Sequence, residues 1–404
     1  MSTPTGLTHI SLNNASDLIM ANAKYALANH ASHIVPLLFS APGVGKTEVV
    51  RSLASYDPMN PYHVEIIDMN TVMAGSLAMP VANADSESVA YKLHPQLLNV
   101  KHIAEQNPTK PVFLALDEVN RADENFTRPQ LLNLLLSNTI ADTKLPENVF
   151  IVGMSNLPEQ AFGSGENQII LSNDVTEFDS AMSNRFMSLF IQPNVDEWLT
   201  MYAMKYNEDI QDTNIHADII TYIQSGADGA VNNNADLLYN PTDEDNVNKA
   251  FATPRSWTAL SQLLRNPAIA NNLELLKPAA AGIIGDAQAK AFFKWRQNNK
   301  KTAPVKKIME GKELFEDHYK DASIAEVNQF FNMAINYART PEQQELFMRL
   351  FIKHSTAQQR FTWTKLYTNN LLHRQVPDFY EHMLKAETET AKEFLKIRLE
   401  HNVN

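Results

Sequence analysis

The chain has 404 residues, 44% of them hydrophobic and 20% charged, with a formal net charge of −12 and no cysteine. Because one hydrophobic core stops growing at about 250–300 residues, we expect two or three domains. The composition excludes disulfides and thiolate metal sites, and the acidic balance makes nucleic acid a less favoured partner.

Nothing in the sequence indicates a membrane-spanning or a secreted protein. All apolar runs fall short of the about 18 residues that a membrane span needs. Residues 1–14 lack the basic and apolar regions of a secretory signal. We therefore expect no membrane span and a cytoplasmic location, in a bacterial cell or a phage-infected cell.

A glycine-rich loop is the first distinctive element. A helix is predicted over residues 16–30, with a Ser or Asp cap, and the apolar run Ile34–Phe39 is then typical of a strand. Residues 40–47, SAPGVGKT, follow this strand and lead into the helical pattern Glu48–Ala54. The order of strand, glycine loop and helix predicts a cradle for phosphate groups.

The loop matches the pattern G-x-x-x-x-G-K-[ST] except at its first position, where Ser40 stands in place of glycine. This departure matters little if the end of the strand keeps an ordinary negative φ. Backbone N–H groups of the loop can close on the β- and γ-phosphates, where Lys46 supplies a positive charge and Thr47 can bind Mg²⁺. The residues that we assign to nucleotide binding are Pro42, Gly43, Val44, Gly45, Lys46, Thr47, Glu48 and Asp117.

Strands and helices alternate after the loop. The sequence predicts a strand over Tyr62–Asp68, a helix over Gln96–Gln106 and a strand over Pro111–Glu118. Residues 70–94 contain Gly75 and Pro80, which indicates an insertion such as a hairpin rather than a plain helix. Apolar strands separated by helices predict an α/β fold, with a parallel sheet sandwiched between helix layers.

Two carboxylates follow the strand that ends near residue 117. Asp117 and Glu118 would lie at the carboxyl edge of the sheet, where ligands bind in open α/β folds. We expect Asp117 to hold Mg²⁺, directly or through a water, and Glu118 to orient and deprotonate the attacking water. An isolated Asp-Glu pair is also compatible with a strand that simply ends in solvated acids.

Further elements complete the N-terminal half. The sequence predicts a helix over Pro129–Leu136, a small hairpin over Thr139–Pro146, a strand over Val149–Asn156, a helix over Phe178–Phe186 that carries Arg185, a strand over Leu189–Ile191 and a helix from Asn194 to Tyr206. The amide of Asn156 can hold the attacking water or the γ-phosphate, although an Asn that ends a strand is more often a turn former.

The second half is predicted to be helical around one acidic segment. Residues 225–249 are rich in glycine, asparagine and acids, so we expect a long or partly disordered loop. Thr253 is predicted to cap a helix that carries Arg255. The basic residues near position 300 are either a solvated connector or a contact for a polyanion. Those residues are Lys300, Lys301, Lys306 and Lys307, and the later predicted helices are Leu273–Phe293, Ser323–Ala338, Pro341–His354 and Asp378–Leu399.

Together, these motifs resemble AAA+ ATPases and, within them, the MoxR and dynein-related group. The matching segments are SAPGVGKT at 40–47, LALDEVNRA at 114–122, KLPENVFIVGMSNLPE at 144–159, SAMSNRF at 180–186 and ATPRSW at 252–257. The match covers roughly residues 15–310. The resemblance implies a P-loop NTPase αβα sandwich over 1–200 with an insertion at about 70–95, an α-helical lid over 201–310 with the acidic loop at 225–249, and an all-helical C-terminal extension over 311–404.

The resemblance also implies roles for individual residues. Asn156 resembles the sensor 1 residue, Arg185 the arginine finger and Arg255 the sensor 2 arginine of the lid. With Glu118 as the base, these four residues form the expected catalytic set, and Thr47 and Asp117 are the expected metal ligands. The lid can be displaced in this group, so whether Arg255 serves its own pocket or that of a neighbour stays open.

The function implied by the resemblance is Mg²⁺-dependent ATP hydrolysis in a ring of subunits, expected to be a hexamer. Arg185 of one subunit would reach the γ-phosphate that is bound by the next subunit. The ring would remodel or mature a protein client, and many relatives work with a partner that carries a von Willebrand factor A domain. Two alternatives stay open: a nucleic-acid motor or loader on the same fold, and a scaffold that binds ATP but hydrolyses little of it.

Overall fold

The computed structural model describes residues 9–31, 34–82, 89–123, 125–156, 159–162, 169–172, 186–225, 235–240, 250–298 and 305–401. They form two compact units that divide after Pro193. The N-terminal unit is α/β with a parallel sheet, and the second unit is helical. This confirms the fold class predicted from the sequence.

The N-terminal unit is built on one parallel sheet of six strands. In chain order, the described strands of the whole unit are β1 (His9–Ile10), β2 (Val35–Ser40), β3 (His63–Asp68), β4 (Ala78–Ala82), β5 (Val89–Leu93), β6 (Val112–Asp117), β7 (Thr139–Ile140), β8 (Thr143–Lys144), β9 (Val149–Asn156), β10 (Glu159–Phe162), β11 (Ile169–Ser172) and β12 (Phe186–Ile191). Its described helices are α1 (Leu12–Asn29), α2 (Lys46–Ala54), α3 (Pro95–Gln106) and α4 (Thr127–Ser137), with a 3-10 turn at Val119–Arg121. The spatial order of the sheet is β1-β12-β2-β9-β6-β3.

The central strands are buried on both faces, which is why their sequences are nearly continuous apolar runs. All eight residues of β9 are buried, and so are five of the six residues in β2 and in β6. Parallel pairing of β2 with β9 places Ser40 opposite Asn156. Because β6 pairs with β9 on its other side, three strand ends meet at one edge of the sheet.

The predicted insertion contains an antiparallel hairpin formed by β4 and β5. It is tied to the sheet where it begins, since the Met69 backbone N–H donates to the Asp117 carbonyl at 2.9 Å. Helix α4 holds the base of the hairpin through Gln130, whose amide accepts from the Ala78 N–H at 3.3 Å and donates to the Ala78 carbonyl at 2.9 Å. The second predicted hairpin, at residues 139–146, is also present as β7 and β8.

The second unit has one hydrophobic cluster, with buried side chains that run from Trp198 to Ile397. All four tryptophans of the chain lie in this unit and are buried. The predicted division of the region at residue 310 stays a prediction. The described elements are Val195–Trp198, a π-helical turn at Leu199–Ala203, β13 (Tyr206–Asn207), β14 (Asp212–Thr213), and helices Ala217–Ser225, Ala235–Leu238, Pro254–Arg265, Pro267–Ala270, Leu273–Ile284, Asp286–Asn298, Val305–Met309, Phe315–Tyr319, Ile324–Ala334 with a 3-10 turn to Tyr337, Pro341–His354, Ala357–Leu366, Asn369–Gln375, Pro377–Lys385 and Glu389–His401.

Several predicted element bounds were wrong, each for a local reason. Helix α1 begins at Leu12 because Ser11 caps it, with its side chain accepting from the Asn14 N–H. The helix predicted over 273–293 is two helices, since Gly285 takes a φ of 83° between them. The helix predicted over 378–399 is likewise broken, where Ala386 has a φ of 46°.

Two further corrections concern the junction between the units. Phe186 begins strand β12, although a helix was predicted to reach it. The helix that Asn194 caps passes into a π-helical turn and ends at Ala203, three residues before its predicted end. Within the described residues, no helix is both long enough and apolar enough to cross a membrane.

Candidate functional site

The glycine loop joins the end of β2 to the start of α2, as the sequence predicted. Gly43 and Gly45 have φ angles of 78° and 119°, which side chains with a Cβ rarely adopt, so the turn depends on glycine at both positions. Gly45 is the N-cap of α2, and no side chain caps this helix. Because glycine has no side chain to accept from the first N–H groups, its use as the N-cap suits an anion at the start of the helix.

Lys46 is the first residue of α2 and is buried at 7% exposure. Its Nζ lies 2.6 Å from Asn156 Oδ1, 3.1 Å from Ser40 Oγ and 3.4 Å from the Ser40 carbonyl oxygen. The ammonium group is thus held between the ends of two neighbouring strands, β2 and β9.

Thr47 meets the first of the two predicted carboxylates. Its hydroxyl donates to Asp117 Oδ2 at 3.1 Å. Among the described residues, no three His, Cys, Asp or Glu side chains gather into a metal site of their own. The hydroxyl and the carboxylate fit the chemistry of Mg²⁺, which prefers oxygen ligands and commonly takes the remaining ones from water and substrate phosphates.

Glu118 follows β6 in a left-handed backbone conformation, with a φ of 54°. Asn156 Nδ2 donates to both of its carboxylate oxygens, at 2.8 and 2.9 Å, and Arg121 Nε lies 3.1 Å from Oε2. The Glu118 backbone N–H donates to Asp117 Oδ1 at 3.0 Å. Left-handed backbone at a residue other than glycine carries strain, and here it turns two successive carboxylates to different partners.

Asn156 therefore bridges the two charged groups of the site. Its amide oxygen accepts from Lys46 while its amide nitrogen donates to Glu118. The Asn156 carbonyl in turn accepts from Asn120 Nδ2 at 3.1 Å. One amide side chain, itself only 4% exposed, thus links the phosphate loop to the predicted base.

Three residues at this edge were not assigned roles from the sequence. Ser40 was noted only as a departure from the loop pattern, and Asn120 and Arg121 were not singled out. The spacing of Arg121 from Glu118, three residues along a turn, is the one signal in the sequence that predicts such a contact. The contact of Asn120 depends on how β6 and β9 are aligned, which no local pattern shows.

The other predicted site residues are placed as follows. Val44 is buried within the loop, while the Glu48 carboxylate is exposed on α2 and pairs with Arg51 at 2.6 Å. Arg255 is exposed in the first turn of the helix Pro254–Arg265, which Thr253 caps as predicted. Arg185, most of the acidic segment 225–249, and Lys300 and Lys301 lie outside the described residues.

Comparison with known proteins gives little beyond this geometry. No protein-family model and no curated protein matches the sequence. A solved structure of the Thermotoga maritima RuvB Holliday junction branch migration motor is similar with a TM-score of 0.34 at 13% identity, covering 97% of this chain and 95% of that one. A proline-to-glycine mutant of that RuvB reaches 0.35 at 13% identity, over 84% of this chain and 88% of that one. TM-scores at this level show nothing about the function of this chain.

Proposed function

We propose that this protein is a Mg²⁺-dependent ATPase of the AAA+ type, similar to the MoxR group, which converts ATP and water to ADP and phosphate. The observation that carries the proposal is the continuous set of contacts from Lys46 through Asn156 to Glu118, beside the pair of Thr47 and Asp117. These residues come from three separate segments of the chain, yet they meet at the edge of the sheet where α/β folds bind ligands.

The loop and α2 would hold the nucleotide phosphates. Backbone N–H groups between Gly43 and Thr47 offer hydrogen bonds to phosphate oxygens, and Lys46 adds a positive charge within the buried end of the loop. Thr47 and Asp117 would hold Mg²⁺, which neutralises charge that develops on the phosphate oxygens.

Glu118 is the residue best placed to accept a proton from the attacking water. Its carboxylate oxygens take hydrogen bonds from Asn156 and an ion pair from Arg121. A water must approach one of these oxygens within hydrogen-bond distance to lose its proton. Each carboxylate oxygen can accept two hydrogen bonds, so a water could approach Oε1 while Asn156 keeps the carboxylate oriented.

We extend the proposal to a ring of subunits, supported by the resemblance of SAMSNRF at 180–186 to the segment that carries an arginine finger. Arg185 of one subunit would act on ATP that is bound by its neighbour. A finger supplied in this way contributes about 10³–10⁵ in rate, or roughly 4–7 kcal/mol, so hydrolysis would depend on assembly. The ring would act on a protein client, with a von Willebrand factor A domain protein as a candidate partner.

The first experiment compares nucleotide binding and turnover in matched variants. Lys46→Ala should lose Mg·ATP affinity, while Glu118→Gln should keep it and lose most turnover. Glu105→Gln is the control, because Glu105 is an exposed carboxylate of the same unit that pairs with Lys101 on α3. Unchanged affinity in Lys46→Ala, or near-normal hydrolysis in Glu118→Gln, would contradict the proposal. Strong stimulation by DNA that falls steeply with salt would instead favour a nucleic-acid motor.

A second experiment tests the ring. Arg185→Ala and Glu118→Gln subunits are each expected to be inactive, but in mixed rings an Arg185→Ala pocket has an intact base and can receive Arg185 from a Glu118→Gln neighbour. Random mixing in equal amounts completes roughly a quarter of the interfaces, so activity should rise from near zero. Exchange of labelled subunits is checked separately. Exchange without any recovery of hydrolysis would reject action of Arg185 across the interface.

A further inference from the structure

The first position of the phosphate loop holds Ser40 where the general pattern has glycine. The structure shows that this serine makes a side-chain contact that a glycine could not make. Ser40 ends β2 and is completely buried. Both its hydroxyl and its carbonyl oxygen lie within hydrogen-bond reach of Lys46 Nζ, at 3.1 and 3.4 Å. A glycine at this position would offer the carbonyl alone.

The orientation of the Ser40 hydroxyl is fixed by a second contact. It donates its only proton to the Ala41 carbonyl at 2.8 Å. The lone pairs of Oγ are therefore left to accept from the ammonium group of Lys46. A hydroxyl that was free to rotate could not be assigned as an acceptor in this way.

Three oxygens lie within hydrogen-bond distance of the ammonium group of Lys46, which carries three N–H donors. Two of these oxygens belong to Ser40 and the third to Asn156 Oδ1, at 2.6 Å. A phosphate oxygen carries negative charge and is a stronger acceptor than a neutral amide oxygen. Asn156 lies on another strand and also binds Glu118, whereas Ser40 belongs to the same loop as Lys46 and has no exposed surface.

We propose that Ser40 is a positioning residue for Lys46. Its hydroxyl and carbonyl keep hold of the ammonium group when nucleotide binds, and Asn156 is the contact that Lys46 exchanges for a phosphate oxygen. The proposal rests on the proposed function, since it assigns the way in which that site holds its lysine. In effect, the serine orients a side chain with a long flexible stem before the phosphates arrive.

The test compares the removal of two buried hydroxyls at the same edge of the sheet. Ser40→Ala removes the contact with Lys46. Ser155→Ala is the matched control, because Ser155 is also completely buried at a strand end but its hydroxyl donates to the Asn156 carbonyl instead. Loss of one hydrogen bond to a charged group should weaken Mg·ATP and Mg·ADP binding about tenfold in Ser40→Ala, and less than about twofold in Ser155→Ala.

A second readout separates positioning from general support of the fold. If Ser40 acts through Lys46, then Ser40→Ala should lower the melting temperature in the wild-type background but not in a Lys46→Met background. A purely structural role would give the same decrease in both backgrounds. Ser40→Cys keeps a side chain of similar size but replaces the hydroxyl with a weak acceptor. This variant should bind nucleotide as poorly as Ser40→Ala. If the alanine variant does not fold, nucleotide binding by the cysteine variant decides the question.

The outcomes distinguish this inference from the proposed function. If the wild-type protein binds no Mg·ATP, the proposed function fails. If the wild type binds but Ser40→Ala and Ser40→Cys bind as tightly as Ser155→Ala, the role of Ser40 is wrong while the ATPase proposal stands. Tighter binding in Ser40→Ala would also overturn the inference, because it would mean that Ser40 holds Lys46 away from the phosphates.

Discussion

Gly285 provides the sharpest test of the packing in the helical unit. It lies between helices Leu273–Ile284 and Asp286–Asn298, with φ 83° and ψ 152°. A Cβ added there would lie 2.6 Å from the Ala250 carbonyl oxygen. Gly285→Ala should therefore destabilise the unit for two reasons, backbone strain and a clash with main-chain atoms that cannot rotate away.

The magnitude follows from adding these effects. Placing alanine in this glycine-only region costs about 1–3 kcal/mol, and the clash costs about 1–3 kcal/mol as the Ala250 segment shifts. Reduced freedom of the unfolded chain offsets about 0.4–1 kcal/mol. The expected loss is about 1–6 kcal/mol, which lowers the melting temperature by roughly 2–24 °C in a unit of this size.

Tryptophan fluorescence is a selective assay, because all four tryptophans lie in the helical unit. Two alanine variants are built-in controls. Gly311 has a φ of 71° but nothing within 4 Å of its added Cβ, so strain alone should cost about 1 kcal/mol or less after the entropic offset. Gly282 is helical with the same open space, so alanine should stabilise by about 0.5–1 kcal/mol. Equal melting temperatures for the Gly285 and Gly311 variants would refute the clash.

The remaining predictions concern contacts near the site, the hairpin and pH. Asn120→Ala removes one of the two donors to the Asn156 carbonyl and should cost about 0.5–1.5 kcal/mol in urea unfolding followed by circular dichroism; no measurable change would contradict the contact. Gln130→Ala removes both bonds to Ala78 and should speed proteolytic cleavage of the β4–β5 hairpin several-fold, whereas an unchanged rate would show that the hairpin is held elsewhere. Burial lowers the pKa of His216 below its ordinary value of 6.5, so the unfolded chain binds the proton more readily. The melting temperature of the helical unit should fall as pH is lowered from about 7 to 5, and His216→Gln should reduce that dependence.

Much of the fold could be predicted because the local patterns agree with it. Strand β9 begins and ends where the sequence predicted over Val149–Asn156, since a strand buried on both faces is apolar over most of its length and here ends in two polar residues. The helix Pro341–His354 also has its predicted ends, because Thr340 caps it and proline follows at the first position. The structure places the Thr47 hydroxyl beside the Asp117 carboxylate at the carboxyl edge of the sheet, although the predicted metal-binding roles of the two residues stay predictions.

What could not be predicted depends on contacts between distant segments. A side chain at position 285 would clash with the Ala250 carbonyl, and nothing in the helical pattern shows that approach. The bond between Lys46 and Asn156 joins residues on neighbouring strands, so it requires the strand order and the register rather than spacing along the chain. Ser40 is the clearest case, because the role inferred for its hydroxyl depends on its hydrogen bonds with Ala41 and Lys46, which the sequence pattern does not show.

The position of β2 at the centre of the sheet has a consequence for biosynthesis. Its two neighbours, β9 and β12, are encoded roughly 110 and 150 residues later in the chain. At a translation rate of about 5–20 residues per second, β2 would wait about 8–30 s after its own synthesis before both partners existed. During that interval, its apolar faces and both of its edges would be open to the ribosome surface and to chaperones. The glycine loop at its end would gain its lysine contact with Asn156 only after β9 had been made.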